Sequence, residues 1–308
     1  MLLMAYGGPT SLEEVEPFLR DVRGGRPTSP ELVDAVRGRY AAIGGASPLL
    51  EITRAQAAAL ERRLGADEPE AGWRVWMGMR HWHPYIGEAV REIAAAGARR
   101  LVALCLTPQA SRLSTGAYFA RLDEALAAAG LGSGAGGGAG LPVARIASWH
   151  TEPLFLDALA HRVAAAWRPE VTVLFTAHSL PRAILAEGDP YERQLRETAE
   201  AVAARTEART GCPLDWTFCY QSAAADARDW LGPDVLQVIS RLAAEGCRHL
   251  VAAPVGFLSD HVEVLYDLDV EARQVAEAHG ARLHRIPSLN ASPDLVRALS
   301  TIVRTARQ

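Results

Sequence analysis

The stretch Pro254–Glu271, PVGFLSDHVEVLYDLDVE, joins an apolar run to an acidic segment. The apolar run extends from His249 to Phe257 and has the length and composition of a buried strand. The acidic segment predicts a helix that begins near Asp260. A strand followed by a helix is the repeating unit of α/β folds, in which ligands bind beyond the carboxyl ends of the strands. The stretch therefore predicts one such unit with a polar edge.

The acidic segment places four carboxylates on one face of the predicted helix. An ideal helix advances by about 100° per residue, so the four fall within an arc of roughly 80°. They are Asp260, Glu263, Asp267 and Glu271. Because no Lys or Arg lies among them, these carboxylates repel one another unless a cation compensates them. The row predicts a path for a divalent metal ion.

Short apolar runs alternate with segments of helical periodicity along the whole chain. The predicted strands are Leu2–Tyr6, Arg74–Met79, Arg100–Leu106, Val143–Trp149, Val171–Thr176, Asp215–Tyr220, His249–Val255 and Ala281–Ile286. The predicted helices are Ser11–Val22, Pro30–Ala42, Ile52–Leu64, Ile86–Ala96, Gly116–Ala129, Pro153–Ala166, Tyr191–Arg205, Asp234–Glu245, Glu263–His279 and Pro293–Thr305. Ser11 and Glu14 predict a capping box at the first helix. Continuous apolar strands are typical of parallel sheets covered on both faces, so the pattern predicts a doubly wound α/β fold.

The alternation runs through four strand–helix units and then about four more. The break falls near the glycine-rich tract Gly130–Gly140 or just after Trp149. The sequence therefore predicts two similar Rossmann-like halves, residues 1–149 and 150–308, each a parallel sheet flanked by helices. The last helix is able to cross back and pack on the first half. The glycine-rich tract has the composition of a flexible surface loop.

Composition narrows the classes of function. The chain has 308 residues, of which 49% are apolar and 22% charged, and its net charge of −4 gives no electrostatic case for nucleic acid. No apolar run is long enough to span a bilayer, and no signal peptide is visible, so we expect a cytoplasmic protein without a stable membrane anchor. The chain contains no lysine, which excludes Schiff-base chemistry and the Walker lysine. Patterns for dinucleotide binding and for a serine-hydrolase elbow are also absent.

His178 is the sharpest single residue outside the acidic row. It follows an apolar strand and precedes a Ser-Leu-Pro turn, so it lies at the edge where parallel strands present their ligands. Glu263 follows another apolar strand at the same predicted edge. One His and one Glu, with carboxylates behind them, predict an open site that holds Fe(II) or Zn(II) transiently. A buried structural histidine is the alternative interpretation of His178.

Four motifs together resemble those of the ferrochelatases. They are AHSLP at Ala177–Pro181, GDPY at Gly188–Tyr191, QS at Gln221–Ser222 with WLGP at Trp230–Pro233, and GFLSDHVEVLYDLDVE at Gly256–Glu271. The match runs essentially from residue 1 to the C-terminus with consistent order and spacing. The resemblance implies a type II chelatase fold, with a porphyrin cleft between two Rossmann-like halves. It also implies a lyase that inserts Fe(II) into a porphyrin in haem biosynthesis and releases two pyrrole protons.

The resemblance also assigns roles to residues at the predicted edge. It implies that His178 and Glu263 are the catalytic, metal-binding pair. Asp267 and Glu271 continue the acidic row as a path for metal or protons, and the family is known for a π-helical segment there. A π turn changes the angular step, so the regular-helix arithmetic is then approximate.

The first strand resembles that of the soluble, monomeric coproporphyrin type of ferrochelatase. It reads MAYGGP, in which Tyr6 matches the axial ligand of the product iron. The resemblance implies further porphyrin contacts from Arg23, Arg39, Tyr40, Ser47 and Tyr118. Coproporphyrin III carries four propionates, and Arg side chains pair well with carboxylates. The implied substrates are therefore coproporphyrin III and Fe(II), with no organic cofactor.

The chain departs from some relatives at a few positions. No cysteine follows Cys247, so an iron–sulfur cluster is not expected, and the four cysteines are interpreted as buried free thiols. Gln109 stands where some relatives have His, which puts a metal role there in doubt. We expect His81 to line the cleft and His83 to be a structural residue before Pro84. The open alternatives are a protoporphyrin IX ferrochelatase, a non-catalytic porphyrin or haem carrier, and a cobalt or nickel chelatase.

Overall fold

A computed structural model describes residues 1–132, 140–224 and 229–307. Most of the predicted flexible loop Gly130–Gly140 lies outside the described residues. The chain divides into two compact units. The first consists of Met1–Trp149 together with the residues from Asn290 onward, and the second is His150–Leu289. Helix Pro293–Arg307 therefore groups with the amino-terminal unit.

All eight predicted strands are present, with small differences at their ends. The strands are β1 Leu2–Ala5, β2 Trp76–Met79, β3 Leu101–Cys105, β4 Val143–Ile146, β5 Val171–His178, β6 Trp216–Gln221, β7 His249–Pro254 and β8 Arg282–Arg285. The α-helices are α1 Val15–Val22, α2 Pro30–Ala42, α3 Leu49–Asp67, α4 Ile86–Ala95, α5 Ala117–Ala128, α6 Pro153–Ala166, α7 Tyr191–Thr210, α8 Val235–Ala244, α9 Val262–Leu265, α10 Arg273–Ala278 and α11 Pro293–Arg307. Two π-helical segments, Arg112–Gly116 and Asp267–Ala272, follow β3 and β7.

The two units contain sheets of the same design. The first sheet has the strand order β2-β1-β3-β4 and the second has the order β6-β5-β7-β8. Every pair of neighbouring strands is parallel. The predicted fold class, two Rossmann-like halves with parallel sheets, is therefore confirmed. Parallel strands need crossover connections, and helices supply them in both units.

Strand register makes Tyr6 and His178 equivalent positions of the two sheets. The equivalent strand pairs are Ala5–Met79 in the first sheet and Ala177–Tyr220 in the second. The backbone N–H of Met79 donates to the Pro84 carbonyl at 2.7 Å. In the same way, the backbone N–H of Tyr220 donates to the Pro233 carbonyl at 2.8 Å. Tyr6 and His178 each come directly after the first member. Both side chains therefore start from the carboxyl edge of the central region of a sheet, where ligands bind in such folds.

Each sheet is buried beneath apolar helix faces. In the first unit, Leu2 and Met4 of β1 pack with α4 and α5 residues such as Val90 and Leu122. In the second unit, Leu174 of β5 packs with residues of α8 and of the π-helical segment. Because the strands are covered, the polar residues that follow them are the ones free to meet a ligand.

Two local predictions at helix starts are wrong. The first helix begins at Val15, and the capping box of Ser11 and Glu14 is not formed. The Glu14 carboxylate instead accepts hydrogen bonds from the backbone and hydroxyl of Thr10, at 2.7 and 2.8 Å. The regular helix expected near Asp260 begins only at Val262, because His261 is extended. It then passes through the π-helical segment before it continues as α10.

Candidate active site

His178 and Glu263 meet at the carboxyl edge of the second sheet. His178 is the last residue of β5, and Glu263 lies in the first turn of α9. The His178 Nδ1 atom lies 3.0 Å from Glu263 Oε2, and each side chain is 31% exposed. Both side chains are therefore partly accessible to solvent. The contact is an ion pair when the imidazole is protonated.

Close backbone packing fixes the strand end that carries His178. A Cβ atom added to Gly256 would lie 2.6 Å from the Cβ of Ala177, so only glycine permits this approach. The Tyr191 hydroxyl, at the start of α7, donates a 3.0 Å hydrogen bond to the His178 carbonyl. The backbone of His178 is thus held both by the loop after β7 and by α7.

His261 is a second imidazole near the Glu263 carboxylate. Its Nε2 atom is 3.8 Å from Glu263 Oε2, and its ring packs on Phe257 with centroids 4.9 Å apart. Its Nδ1 atom lies 2.9 Å from the Ser259 carbonyl. Because a carbonyl only accepts, Nδ1 carries a proton in this contact. Two imidazoles therefore approach the same oxygen of the Glu263 carboxylate.

Burial and charge act in opposite directions on the pKa values of this pair. Burial disfavours the charged imidazole, but the negative charges of Glu263 and Asp267 outweigh it and raise the pKa of His178. Burial also opposes ionisation of Glu263, but the neighbouring His178 and His261 outweigh it and lower the pKa of Glu263. Each shift favours the charged form of its group. A metal ion and a proton therefore compete for the His178 ring.

Asp267 and Glu271 lie on the π-helical segment that follows α9. The backbone N–H of Glu271 donates to the carbonyl of Tyr266 at 2.9 Å, five residues back, which is the π pattern. Asp267 is buried, and its carboxylate accepts a hydrogen bond from the Ser222 hydroxyl. Glu271 is partly exposed. The π-helical segment that the resemblance implied is confirmed, and it changes the spacing of the acidic face.

Asp260 does not continue the uncompensated row, contrary to the sequence prediction. Its carboxylate lies 3.3 Å from Arg285 Nη1 and accepts a 2.7 Å hydrogen bond from Ser288. Arg285, on β8, also binds Asp269 through two hydrogen bonds of 2.9 and 2.8 Å. The basic residue absent from the acidic segment is therefore supplied from β8, far along the chain. Only Glu263, Asp267 and Glu271 remain as candidates for an ion path.

Tyr6 is the exposed aromatic residue at the carboxyl edge of the first sheet. It is 39% exposed and its ring packs on His81, with centroids 4.7 Å apart. His81 is buried, and its Nδ1 atom lies 2.8 Å from the Asp21 carboxylate. Burial lowers the pKa of His81, with Asp21 opposing the shift. Burial and the Asp21 charge raise the pKa of Tyr85, which also contacts Asp21, to about 12.

The other porphyrin-contact candidates of the first unit differ in exposure. Arg23 and Arg39 are exposed, whereas Tyr40, Ser47 and Tyr118 are buried. The backbone of Gly8 lies close to Ser47 and Tyr40. A Cβ atom added to Gly8 would be 2.7 Å from the Ser47 hydroxyl and 3.7 Å from the Tyr40 hydroxyl. The Ser47 hydroxyl also accepts a 3.3 Å hydrogen bond from Leu49 at the start of α3.

Tyr118 lies beneath Arg80, whose guanidinium is 5.6 Å from the centre of the ring. The structure therefore brings Tyr40 and Ser47 together beside the turn that follows Tyr6. It gives Tyr118 a packing role in α5. A contact of any of these residues with substrate stays a prediction.

Three further sequence predictions concern residues near these strand ends. His83 is exposed beside Pro84, with its Nδ1 atom 3.1 Å from the Glu88 carboxylate. Gln109 is fully buried. The four cysteines are free, and Cys105 and Cys219 are buried as expected, but Cys212 is exposed and Cys247 is only partly buried. Within residues 1–132, 140–224 and 229–307, no group of three or more His, Cys, Asp or Glu side chains is arranged to hold a metal ion.

Comparison with known proteins identifies the family. The family model for ferrochelatase matches residues 1–307. The chain belongs to the ferrochelatase family. It is 39% identical to a ferrochelatase from Herpetosiphon aurantiacus, over 98% of this chain and 97% of that protein. It is 37% identical to a coproporphyrin III ferrochelatase from Anoxybacillus flavithermus, over 98% of this chain and 94% of the relative.

Family membership establishes the reaction as insertion of ferrous iron, a substrate, into a porphyrin. Among solved structures, the chain is similar to SirB from Bacillus subtilis with Fe3+, at a TM-score of 0.58 and 12% identity, covering 99% of this chain and 94% of that one. This likeness supports the chelatase fold. Among the residues that the structure describes, none of the helices combines the length and apolar character needed to cross a bilayer.

Sequence reasoning gave no role to several residues that shape this edge. Arg285 and Asp21 were missed because their partners lie far away in the sequence, at Asp269 and at His81. His261 stands inside the quoted motif and next to the acidic row. Its position two residues before Glu263 is a signal that a sequence reading could have used.

Proposed function

We propose that this ferrochelatase inserts Fe(II) into coproporphyrin III, with His178 and Glu263 as the metal-directed pair. The observation that carries the assignment of the pair is their 3.0 Å approach at the carboxyl edge of the second sheet. An imidazole nitrogen and a carboxylate oxygen are suitable donors for Fe(II), and two protein donors leave the ion free to move on. The same imidazole is able to take up a pyrrole proton once it is neutral.

The proton balance of the reaction fits the electrostatics of this pair. Insertion replaces two pyrrole protons by one Fe(II) ion, so the site must accept protons and pass them on. His178 must lose its own proton before it accepts one, and the adjacent carboxylates of Glu263 and Asp267 stabilise its charged form. Glu263, Asp267 and Glu271 follow one another along a single segment. In this proposal they conduct the ion or the protons between His178 and solvent.

Coproporphyrin III as the porphyrin is supported by residues of the first unit. Tyr6 presents a phenol directly after β1, and in this proposal its oxygen is a ligand of the Fe(II) in the product. Arg23 and Arg39 are exposed and carry the positive charges that propionates require. Several relatives are named coproporphyrin III ferrochelatase, whereas others are named ferrochelatase without a stated porphyrin.

The deciding experiment compares two porphyrins with the purified wild-type chain under anaerobic conditions. We expect kcat/KM for Fe(II) insertion to be at least tenfold higher with coproporphyrin III, which has four carboxylates, than with protoporphyrin IX, which has two. A preference for protoporphyrin IX would contradict the substrate assignment and leave the iron-insertion reaction in place. Tight haem binding with no insertion into either ring would favour a carrier.

A further inference from the structure

Gln221 joins the strand of His178 to the residue that carries the Glu263 carboxylate. It is the last residue of β6 and is buried. Its Oε1 atom accepts a 2.8 Å hydrogen bond from Thr176 Oγ1, on β5 two residues before His178. Its Nε2 atom donates a hydrogen bond to the backbone carbonyl of Glu263. One side-chain amide thus spans the two elements whose ends form the metal-directed pair.

Ser222 makes the next connection from an unusual backbone conformation. Its φ angle is +62°, and among the described residues only Asn290 shares a positive φ without being glycine. Its hydroxyl donates to the carboxylate of Asp267, four residues after Glu263. Serine is disfavoured in the left-handed region, and such conformations persist where the surroundings determine them. Here the conformation directs the hydroxyl to the acidic segment.

We propose that Gln221 and Ser222 are positioning residues that hold the acidic segment in place relative to His178. The inference rests on the proposed role of His178 and Glu263. Gln221 fixes the backbone at Glu263, and Ser222 fixes the carboxylate of Asp267 one turn later. The last residue of β6 and the residue that follows it therefore bind the segment at two points. With two donors only, the geometry of the metal-directed pair depends on this support, since a displacement of about 1 Å can cost about 100-fold in rate.

The left-handed conformation of Ser222 allows a positioning role to be separated from a stabilising one. Ser222→Ala removes the hydroxyl and keeps the strained backbone. Ser222→Gly removes the hydroxyl and relieves the strain, because glycine adopts positive φ without cost. If the residue acted only on stability, the loss in kcat/KM would follow the loss in Tm and would differ between the two variants. If the hydroxyl positions Asp267, both variants have a similarly lowered kcat/KM for Fe(II), although their thermal stabilities differ.

The experiment measures steady-state Fe(II) insertion with whichever porphyrin the wild-type protein uses better. We expect Ser222→Ala, Ser222→Gly and Gln221→Met to lower kcat/KM for Fe(II) about 10- to 100-fold. The Kd for the porphyrin, measured by fluorescence titration without metal, should stay within about twofold of wild type, and Tm should be higher for Ser222→Gly than for Ser222→Ala. Ser240→Ala is the matched control, because its hydroxyl donates only to the Leu236 carbonyl in α8.

Three results would overturn the inference. They are wild-type metal kinetics in Ser222→Gly, losses in kcat/KM that follow Tm across the series, and porphyrin Kd changes as large as the metal effects. The two variants Ser222→Ala and Ser222→Gly test the positioning role even if Gln221→Met fails to fold. Failure of the proposed function is a separate result, because it shows in the porphyrin preference of the wild-type protein and in the activity of His178→Ala.

Discussion

Tyr6 and His178 occupy the same register position in two sheets of identical strand order. Each comes directly after an alanine, Ala5 of β1 or Ala177 of β5, yet one side chain is a phenol and the other an imidazole. The common scaffold thus presents two different potential iron ligands, one from each unit. In the proposed reaction, His178 acts on the incoming metal and Tyr6 on the product.

Replacing His178 tests the metal-directed pair. His178→Ala removes the imidazole that lies 3.0 Å from Glu263, and we expect anaerobic Fe(II) insertion to fall by about 10²- to 10⁴-fold. His249→Ala, at the exposed start of β7, is the control and should retain wild-type turnover. Near wild-type activity in His178→Ala would remove the residue from the mechanism.

Stability should depend on pH through the same pair. The pKa of His178 is raised above its ordinary 6.5, so its stabilising effect is complete below pH 6.5 and is lost as pH rises through the folded-state value. The pKa of Glu263 is lowered from 4.5, so its effect is present above pH 4.5 and is lost in acid. The pair therefore stabilises the fold most between pH 4.5 and pH 6.5. We expect this contribution to be about 1 kcal/mol, because both groups are partly solvated.

Urea unfolding of the metal-free protein from pH 4 to 9 measures this dependence. In Glu263→Gln, His178 loses its nearest countercharge, and the decline of stability above pH 6.5 should disappear or reverse. An unchanged profile in this variant would show that another group controls the titration.

Arg285 should matter for stability far more than a surface arginine. It is 11% exposed and binds both Asp260 and Asp269. Arg285→Met removes a countercharge from both carboxylates, although Asp269 keeps its 3.8 Å contact with Arg273, and we expect the free energy of unfolding to fall by about 3 kcal/mol. Arg241→Met, which breaks an exposed pair with Glu245, should cost about 0.5 kcal/mol. Equal losses in urea titrations of the two variants would contradict the buried role of Arg285.

Gly256 should be intolerant of even one methyl group. The added Cβ of Gly256→Ala would lie 2.6 Å from Ala177 Cβ, so β5 or the loop must shift, at about 1–3 kcal/mol. Because His178 follows Ala177, Fe(II) insertion should also decline. Gly65→Ala is the control in α3, where nothing lies within 4 Å, and it should raise stability slightly. Thermal unfolding of both variants tests this, because Tm should fall in Gly256→Ala and rise slightly in Gly65→Ala.

Arg23 and Arg39 should contribute to porphyrin affinity according to the number of propionates. Charge-assisted hydrogen bonds are worth about 1.5–3 kcal/mol, so Arg23→Met or Arg39→Met should raise the Kd for coproporphyrin III about 10- to 100-fold. The effect on protoporphyrin IX should be smaller, and Arg54→Met, which pairs with Glu51 in α3, should change neither. Fluorescence titration with both rings measures this, and equal effects on the two porphyrins would argue against propionate contacts.

Local signals predicted the fold and the central pair, whereas long-range contacts had to be observed. The strands and most helices followed from apolar runs and periodicity, and His178 and Glu263 stood at predicted strand ends. The compensation of Asp260 by Arg285 was not predictable, because 25 positions and a complete helical segment separate them. Helical periodicity also could not locate the π-helical turn, since its hydrogen bonds span five residues instead of four.

The π-helical segment Asp267–Ala272 adds about one residue to a helical turn. One extra residue rotates everything after it by roughly 100° relative to a regular helix. The acidic positions before the segment and the apolar positions after it, such as the fully buried Ala276, can therefore be oriented independently. Deleting one residue from this segment would leave one regular helix. That helix would orient either its apolar residues toward the core or its carboxylates as they are now, but not both. The number of residues between Glu263 and Ala276 therefore matters as well as the number of acidic residues, because it sets the directions in which the carboxylates and the apolar side chains point.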